Sequence, residues 1–330
     1  MSKETKTQAV QLDKTIPNGA KTAAVPPIPK EKFTIIGTDD FSGDIIARPR
    51  IGYWADAWRR LRQNKVATVS LFFLILMVIM VIIGPYLNGI NYEAVDNTAI
   101  NQAPSAAHWF GTDALGRDLF SRVWQAGRVS IAIGIAGALI GTVVGCIYGG
   151  IAAYFGGIVD TILMRIVEVL FSIPYLLIVI LISVITDSQS IFTLMLALTL
   201  TGWCNTARLV RGQMLQLKSQ EFILAANALG VSPWTTIIKH LIPNTLGVIL
   251  VAITFDIPSY IFSEAFLSYL GLGIKAPNTS WGALASAAQQ TFAFYPYQMF
   301  FPALLIALTM LSFTLLGDGL RDALDPKLRK

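Results

Sequence analysis

The chain has 330 residues, of which 54% are hydrophobic and 14% charged, with a mean hydropathy of +0.59. Soluble domains carry about 25% charged residues, so this balance excludes an ordinary soluble globular protein. The net charge of +5 forms no basic patch on a folded soluble face of the kind that nucleic-acid binding needs.

Residues 1–45 mix Lys, Thr, Pro, Asp and Gly without periodicity, which predicts a flexible tail and no cleavable signal peptide. The next stretch, 46–65, contains "IGYWADAWRRLRQNK". Tyr53, Trp54, Ala57, Trp58 and Leu61 recur there at helical spacing, with Asp56, Arg59, Arg60 and Arg62 on the other faces. That pattern predicts an amphipathic helix lying in the lipid bilayer's interface. No charge occurs in Val66–Leu87 or Val129–Val159, and each run exceeds the roughly 20 apolar residues that cross a bilayer. Six spans are expected, at 66–87, 129–155, 164–185, 190–207, 245–268 and 299–317. Pro174 and Pro258 should kink the third and fifth. Lipid offers an open sheet no hydrogen-bond partners, so the expected fold is an all-α integral membrane protein. Residues 129–317 form its five-helix core, 88–128 and 269–298 its outer loops, and 318–330 its C-terminus.

With the N-terminus inside, 21 of the 25 Lys and Arg residues fall on the inner side, the others being Arg117, Arg122, Arg128 and Lys275. The positive-inside rule then puts both termini in the cytoplasm.

On this topology Ser219–Asn244, "SQEFILAANALGVSPWTTIIKHLIPN", is cytoplasmic. Ser219 is a good N-cap with Glu221 in the first turn, and Phe222, Ala226 and Leu229 form one stripe. Gly230 suits a left-handed helix stop, and Ser232 followed by Pro233 starts a second helix. Ile237, Ile238, Leu241 and Ile242 should line that helix's buried side, and Pro243 should end it. The segment reads as a protruding helix-turn-helix with small residues near its apex; spacing alone equally fits a loop resting on the bilayer.

This stretch resembles the loop of ABC importer permeases, whose pattern is Glu-Ala-Ala, three residues, Gly, nine residues, Ile-x-Leu-Pro. Ala225, Ala226, Gly230 and Pro243 match it, whereas Leu224, His240 and Ile242 replace the usual Glu, Ile and Leu, as in the peptide-importer branch. The resemblance implies a coupling helix that seats in a cleft of a cytoplasmic ATPase subunit, carried by Ala225, Ala226, Gly230, Val231, Ser232, Pro233, His240 and Pro243. "FGTDALGRDLFSRVWQAGRVS" (Phe110–Ser130), "MRIVEVLFSIP" (Met164–Pro174), "SYLGLGIKAPNTSWG" (Ser268–Gly282) and "LLGDGLRDALDPKLRK" (Leu315–Lys330) resemble the C-type permease of oligopeptide and dipeptide ABC importers. The likeness spans about residues 50–330. It implies a homologous second permease, two cytoplasmic ATPase subunits that hold ATP and Mg, an extracytoplasmic peptide-binding protein, a peptide substrate and a prokaryotic cell membrane. Nickel complexes or glutathione are alternative cargoes of the same branch.

Thr112 is a candidate cap for an outer amphipathic helix in which Asp118 and Arg122 are spaced as an i, i+4 ion pair. Those charges either solvate the helix or meet a binding protein. Gly137, Gly141 and Gly145 make a small-residue ridge in the second span, suited to close helix packing. Asp256, about 18 Å along its helix from Asn244, costs about 2.5–3.5 kcal/mol at mid-bilayer and should face water or a partner. With Glu264 eight residues on it lines the solute path, or both pair within the bundle. Arg165 and Glu168 are spaced as a structural ion pair, and Gly317 and Gly319 should stop the sixth span. Cys146 and Cys204 lie in apolar runs and His108 and His240 lie far apart, so no metal site, disulfide framework or catalytic constellation is expected. No P-loop occurs in the sequence, so the chain needs no cofactor of its own. An ion-coupled secondary transporter, the rival of a different class, would show an inverted repeat and paired broken helices; the sequence shows neither.

Overall fold

The computed structural model describes residues 52–186, 190–275 and 278–325. The expected tail 1–45, the first residues of the 46–65 stretch and the last five residues lie outside them. Helix α1 (Tyr53–Gln63) buries Ala57 and Leu61, and Leu61 packs with Ala67, Ala323 and Leu316, while Trp54 and Trp58 stay exposed. Asp56 pairs with Arg59 at 3.2 Å and Arg60 at 3.0 Å. The expected apolar stripe is therefore divided: its aliphatic members face protein and its tryptophans face outward.

Asn64 caps α2 (Lys65–Ile83) by accepting from the Ala67 amide at 3.2 Å. One seam of α2, Ala67, Ser70, Leu74, Met77 and Val81, faces protein, whereas Val69, Phe72, Ile75, Ile79 and Ile82 are exposed. A 3-10 turn, Gly84–Tyr86, extends it.

Thr112 does not cap a helix. Its hydroxyl accepts from the Gln102 amide at 2.8 Å and donates to the Ala99 carbonyl, so it is engaged in the loop. That loop also orders Asp96, whose carboxyl is held below its usual range by hydrogen bonds from the Thr98 hydroxyl and amide. The helix starts after Asp118, and α3 (Leu119–Phe155) runs 37 residues, merging the expected outer helix with the second span. Asp118 caps it through the Ser121 amide (2.9 Å) and also meets His108 (2.9 Å) and Asn88 (2.6 Å). The expected Asp118–Arg122 pair is absent because Asp118 is already engaged; Arg122 lies 3.5 Å from Asp113 instead.

Helices α4 (Gly157–Ser172) and α5 (Tyr175–Thr186) meet at a bend of 83°. Pro174 forces it: the residue before a proline avoids the helical region, and Ile173 is extended, with ψ 124°. Helix α6 (Ile191–Lys218) is followed by α7 (Glu221–Ala228), α8 (Pro233–Thr235) and a π turn (Thr236–Leu241), which leads into α9 (Ile242–Tyr269). Pro258 does not break α9. Helix α10 (Trp281–Gln289), in the stretch expected as an outer loop, precedes α11 (Tyr297–Leu324). Gly317 and Gly319 do not stop α11. They are contact points: a Cβ on Gly317 would stand 2.7 Å from the Thr254 hydroxyl, and one on Gly319 would strike Ala67.

Four helical stretches are long and apolar enough to cross a membrane, namely Lys65–Tyr86, Leu119–Phe155, Pro233–Tyr269 and Tyr297–Leu324, and the bent pair α4–α5 makes a fifth. The fourth expected span, 190–207, falls in the apolar first half of α6, and the helix continues past it into a polar half that carries Arg208, Arg211 and Gln213. The described residues form helices and one isolated bridge, Thr112 with Asp118, and no strand.

Three contacts set this architecture. The first is the glycine face of α3: a Cβ on Gly137 would meet the Tyr260 ring at 2.7 Å, and one on Gly145 would meet Thr206 at 2.8 Å and the Ala207 amide nitrogen at 2.9 Å. Backbone therefore lies on backbone where α6 crosses α3. The second is an ion pair in which the Arg211 guanidinium of α6 grips the Asp160 carboxylate of α4 with two hydrogen bonds. The third is a buried clamp. Trp281 of α10 donates its indole N–H to the Val123 carbonyl (2.9 Å) and its amide to Ser130 Oγ (3.1 Å). Ser130 in turn donates to Glu264 Oε2 (3.0 Å), and Ser268 donates to Glu264 Oε1 (2.7 Å).

Gly145→Leu is expected to cost about 1–3 kcal/mol through overpacking, read as a lower melting point of the detergent-solubilised protein. Gly141→Leu should also destabilise, because its Cβ would stand 2.9 Å from the hydroxyl of Tyr260, a buried residue whose ring already fills the space beside Gly137. A double-mutant cycle on Asp160→Asn and Arg211→Gln should return a coupling of about 1–2 kcal/mol, as for a bidentate charge-assisted pair. Glu264→Leu strips the partners of Ser130 and Ser268 at a cost of about 1–3 kcal/mol. It should speed amide hydrogen exchange across Trp281–Gln289, while Glu264→Gln should leave that exchange nearly unchanged.

Candidate functional site: a helical protrusion and a polar cavity

The segment after α6 stands out from the end of the bundle on a small number of anchors. Ser219 closes α6, donating its hydroxyl to the Gln216 carbonyl at 3.0 Å; Gln220, without a side-chain bond, occupies the cap position of α7 expected for Ser219. Helix α7 stops in a Schellman motif: the Val231 amide donates to the Ala226 carbonyl (3.1 Å) and the Gly230 amide to Asn227 (3.0 Å). Gly230 sits at φ +75°, the left-handed conformation this motif needs. The Thr235 amide then donates to Ser232 Oγ at 3.3 Å, and Pro233 takes the first helical position.

Burial separates anchor from surface. Ile223, Ile237 and Leu241 are buried and pack with Ala153 of α3 and Val210 and Met214 of α6; Ala226 is also buried. The expected stripe Phe222–Ala226–Leu229 does not form one inner side: Phe222 is exposed and Leu229 is 84% exposed. Ile238 is likewise exposed and Ile242 only half-buried, because the π turn rotates their side chains relative to an α-helical register. The outward face thus carries Phe222, Leu224, Leu229, Trp234 and Ile238 around Ala225 and Gly230. Large apolar side chains left exposed on one short protruding segment are candidates for contact with a partner or with lipid.

Pro243 does not end the second helix. The π turn widens the coil just before it, where a proline has no N–H to give. Asn244 Nδ2 donates to the His240 carbonyl at 2.6 Å, supplying a partner at this irregularity. The chain from Pro233 to Tyr269 is consequently one continuous 37-residue helical element, and the protrusion is the tip of α9.

Asp256 lies on that element, on an open-sided cavity of about 350 Å³ between the α4–α5 bend, α6 and α9. Thr206 donates to it at 3.2 Å. Phe171, Pro174 and Tyr175 form one wall, Thr201 and Asn205 another, and Ser259 and Tyr260 stand beside the acid. Glu264 is not in this cavity. It is wholly buried in the serine clamp below α10, so the two acids serve different places. Arg165 and Glu168 form an exposed ion pair at 2.8 Å, of a type that contributes under about 1 kcal/mol. Gly137, Gly141 and Gly145 face Tyr260 and Thr206, behind the cavity wall.

Sequence reasoning missed the residues opposite Asp256. Thr201, Asn205 and Arg208 were legible as an i, i+4, i+7 polar line in an otherwise apolar run, but one charge among them read only as a topology signal. The Asp160–Arg211 pair, 51 residues apart, leaves no local spacing to find.

Residues 137–330 match the family described as "Binding-protein-dependent transport system inner membrane component", and residues 52–104 match "N-terminal TM domain of oligopeptide transport permease C". The dipeptide transport system permease protein DppC of Bacillus subtilis (strain 168) is 47% identical over 92% of this chain and 95% of that protein. The oligopeptide transport system permease protein OppC of the same organism is 46% identical over 92% of this chain and 99% of that one. The glutathione transport system permease protein GsiD of Escherichia coli O6:K15:H31 (strain 536 / UPEC) is 41% identical over 84% and 91%. Such permeases are transport subunits without enzymatic activity that work with a partner permease, ATPases and a binding protein. With its family-model matches and its apolar helices, this chain belongs to the inner-membrane-component family of binding-protein-dependent transport systems, as a multi-pass membrane permease.

Proposed function

We propose that this chain is the C-type permease of an ATP-driven, binding-protein-dependent importer of oligopeptides or dipeptides in a prokaryotic cell membrane. It forms the path with a homologous second permease, two cytoplasmic ATPase subunits supply ATP and Mg, and an extracytoplasmic protein delivers peptide. The positive-inside distribution supports cytoplasmic termini and a cytoplasmic protrusion. The peptide reading is favoured over glutathione by the dipeptide and oligopeptide relatives at 47% and 46% identity over 92% of the chain, against 41% over 84%. Membership of this family sets aside an ion-coupled secondary transporter.

One observation carries the mechanism: an exposed apolar knob, Ala225 to Gly230 with Leu229 outermost, is locked to the helix that bears Asp256. Ala225, Ala226, Gly230, Val231, Ser232 and Pro233 shape the knob, and His240 and Pro243 shape its junction with α9. ATP-driven closure of the ATPases moves the cleft that holds the knob, and α9 carries that movement to the cavity. The ATPase thereby favours one permease state by differential contact at this surface.

In membranes containing the full complex, Leu229→Cys should cross-link to an ATPase subunit, since the native Cys146 and Cys204 are buried. Labelling of that cysteine only from the extracytoplasmic side would contradict the proposal. Leu229→Glu should lower peptide uptake at least about tenfold, as for a charge placed in an interface hot spot.

A further inference from the structure

The cavity beside Asp256 has a second charge at its wall. One helical turn below Asn205, Arg208 lays its guanidinium over the Phe171 ring, 4.7 Å from the centroid, and Phe171 belongs to the lining. Arg208 is exposed, and among the described residues no carboxylate pairs with it. Asp256 likewise has a hydroxyl partner, Thr206, and no cation. The neighbouring charges are already engaged, Asp160 with Arg211 and Arg165 with Glu168. This part of the bundle therefore leaves without counterions one acid on the cavity lining and one base at its edge, against the lining residue Phe171.

Their levels fit together. Thr206 touches Asp256, and Arg208 follows Thr206 by two residues, a rise of about 3 Å along α6. Arg208 also shares the face of α6 that carries the lining residues Thr201 and Asn205, at i, i+4 and i+7. A single cation entering here would be drawn to Asp256 and repelled by Arg208, and a single anion the reverse. A ligand that carries both charges, as a short peptide with free termini does, satisfies both. The cavity, about 350 Å³, is at the lower end of the range for pockets that hold small ligands. Between the charges, Thr201 and Asn205 present groups able to bond peptide amides.

We propose that Asp256 and Arg208 form a bipolar cradle for the zwitterionic backbone of a short peptide, Asp256 taking the α-ammonium and Arg208 the α-carboxylate. This rests on the peptide reading above and adds a residue pair and a requirement for free termini. The cradle lies on the transport path, not in the binding protein, and it binds each terminus through a single charged group. Occupancy is therefore brief enough to permit release.

The experiment uses the complete importer in proteoliposomes with its binding protein and ATP, and one short peptide in three forms: unmodified, N-acetylated and C-amidated. For each variant and form, uptake is divided by that of the unsubstituted complex, so the binding protein's own preference cancels. Arg208→Gln should lower the ratio for the unmodified peptide about tenfold more than for the amidated one, the size of one lost charge-assisted hydrogen bond. Asp256→Asn should show the same selectivity between the unmodified and acetylated forms. Arg208→Lys should retain most of the uptake that Arg208→Gln loses. Equal ratios across the three forms, whether low or near unity, would overturn the cradle and leave the peptide importer standing. No uptake of any form by the unsubstituted complex would overturn the peptide reading itself.

Discussion

The absence of side chains along one face of α3 is the constraint on which the rest of this bundle depends. A transmembrane helix gains nothing from the hydrophobic effect by leaving lipid for protein, so association relies on close packing and hydrogen bonds. At Gly145 the space a Cβ would need is occupied by Thr206 and the Ala207 amide, and at Gly137 by the Tyr260 ring. That proximity brings Thr206 to Asp256 and sets α6 across from α9 with a cavity between them. Had α3 carried leucines there, α6 would stand off by several ångströms, and the acid would lose its hydroxyl partner. Packing and polar chemistry are one arrangement here: a ridge of the smallest residue positions the one mid-helix acid that remains open to a cavity.

The two ends of the bundle are secured by different means. At the end bearing α10, the contacts are buried and directional: Trp281 through its indole and amide, Glu264 through two serines, Asp118 through His108, Asn88 and Ser121. At the end bearing α7, they are more apolar, with Ile223, Ile237 and Leu241 against Val210 and Met214, closed by Lys218 donating to the Tyr154 carbonyl at 2.6 Å. Directional bonds hold one geometry. Apolar contacts among branched side chains tolerate small sliding movements, which suits the end that must receive a push.

Much of the site was legible in sequence, and the failures share a cause. Gly230, Ser232 and Pro233 act as punctuation whose effect is local, so their roles followed from residue type. Pro174 did too, since a proline acts on its own predecessor. The misassignments came wherever a local signal competed with a distant partner. Thr112 reads as a cap until Ala99 and Gln102 engage it. Gly317 and Gly319 read as a stop until α9 and α2 are seen to pack on them. Glu264 shares a helix with Asp256, and spacing could not tell that Ser130, 134 residues away, encloses one while the cavity admits the other. Helix α10 was missed because its nine residues are too few for a long apolar run; the signals available were its cap, Ser280, and the i, i+3, i+4, i+7 spacing of Trp281, Leu284, Ala285 and Ala288.

The cavity's walls belong to parts with different attachments, which on the proposed mechanism is what couples the knob to the solute path. Asp256 lies on the 37-residue element that begins at the knob, about 35 Å from Pro233 at the helical rise. Phe171 and Arg208 stand on the opposite side, and the α4–α6 contact behind them is pinned by Asp160 and Arg211. A helix transmits axial and tilting displacement well, but the π turn before Pro243, where the hydrogen-bond register changes, is a weak point close to the knob. Placed close to the knob, that irregularity lets the tip adjust to a partner without altering the long segment beyond it. On the proposed mechanism, tilt of α9 changes the distance between Asp256 and Arg208 and loads the Thr206–Asp256 bond that joins α9 to α6. A ligand bridging the two charges would then be held in one state and released in the other, and the force that does it need touch neither residue.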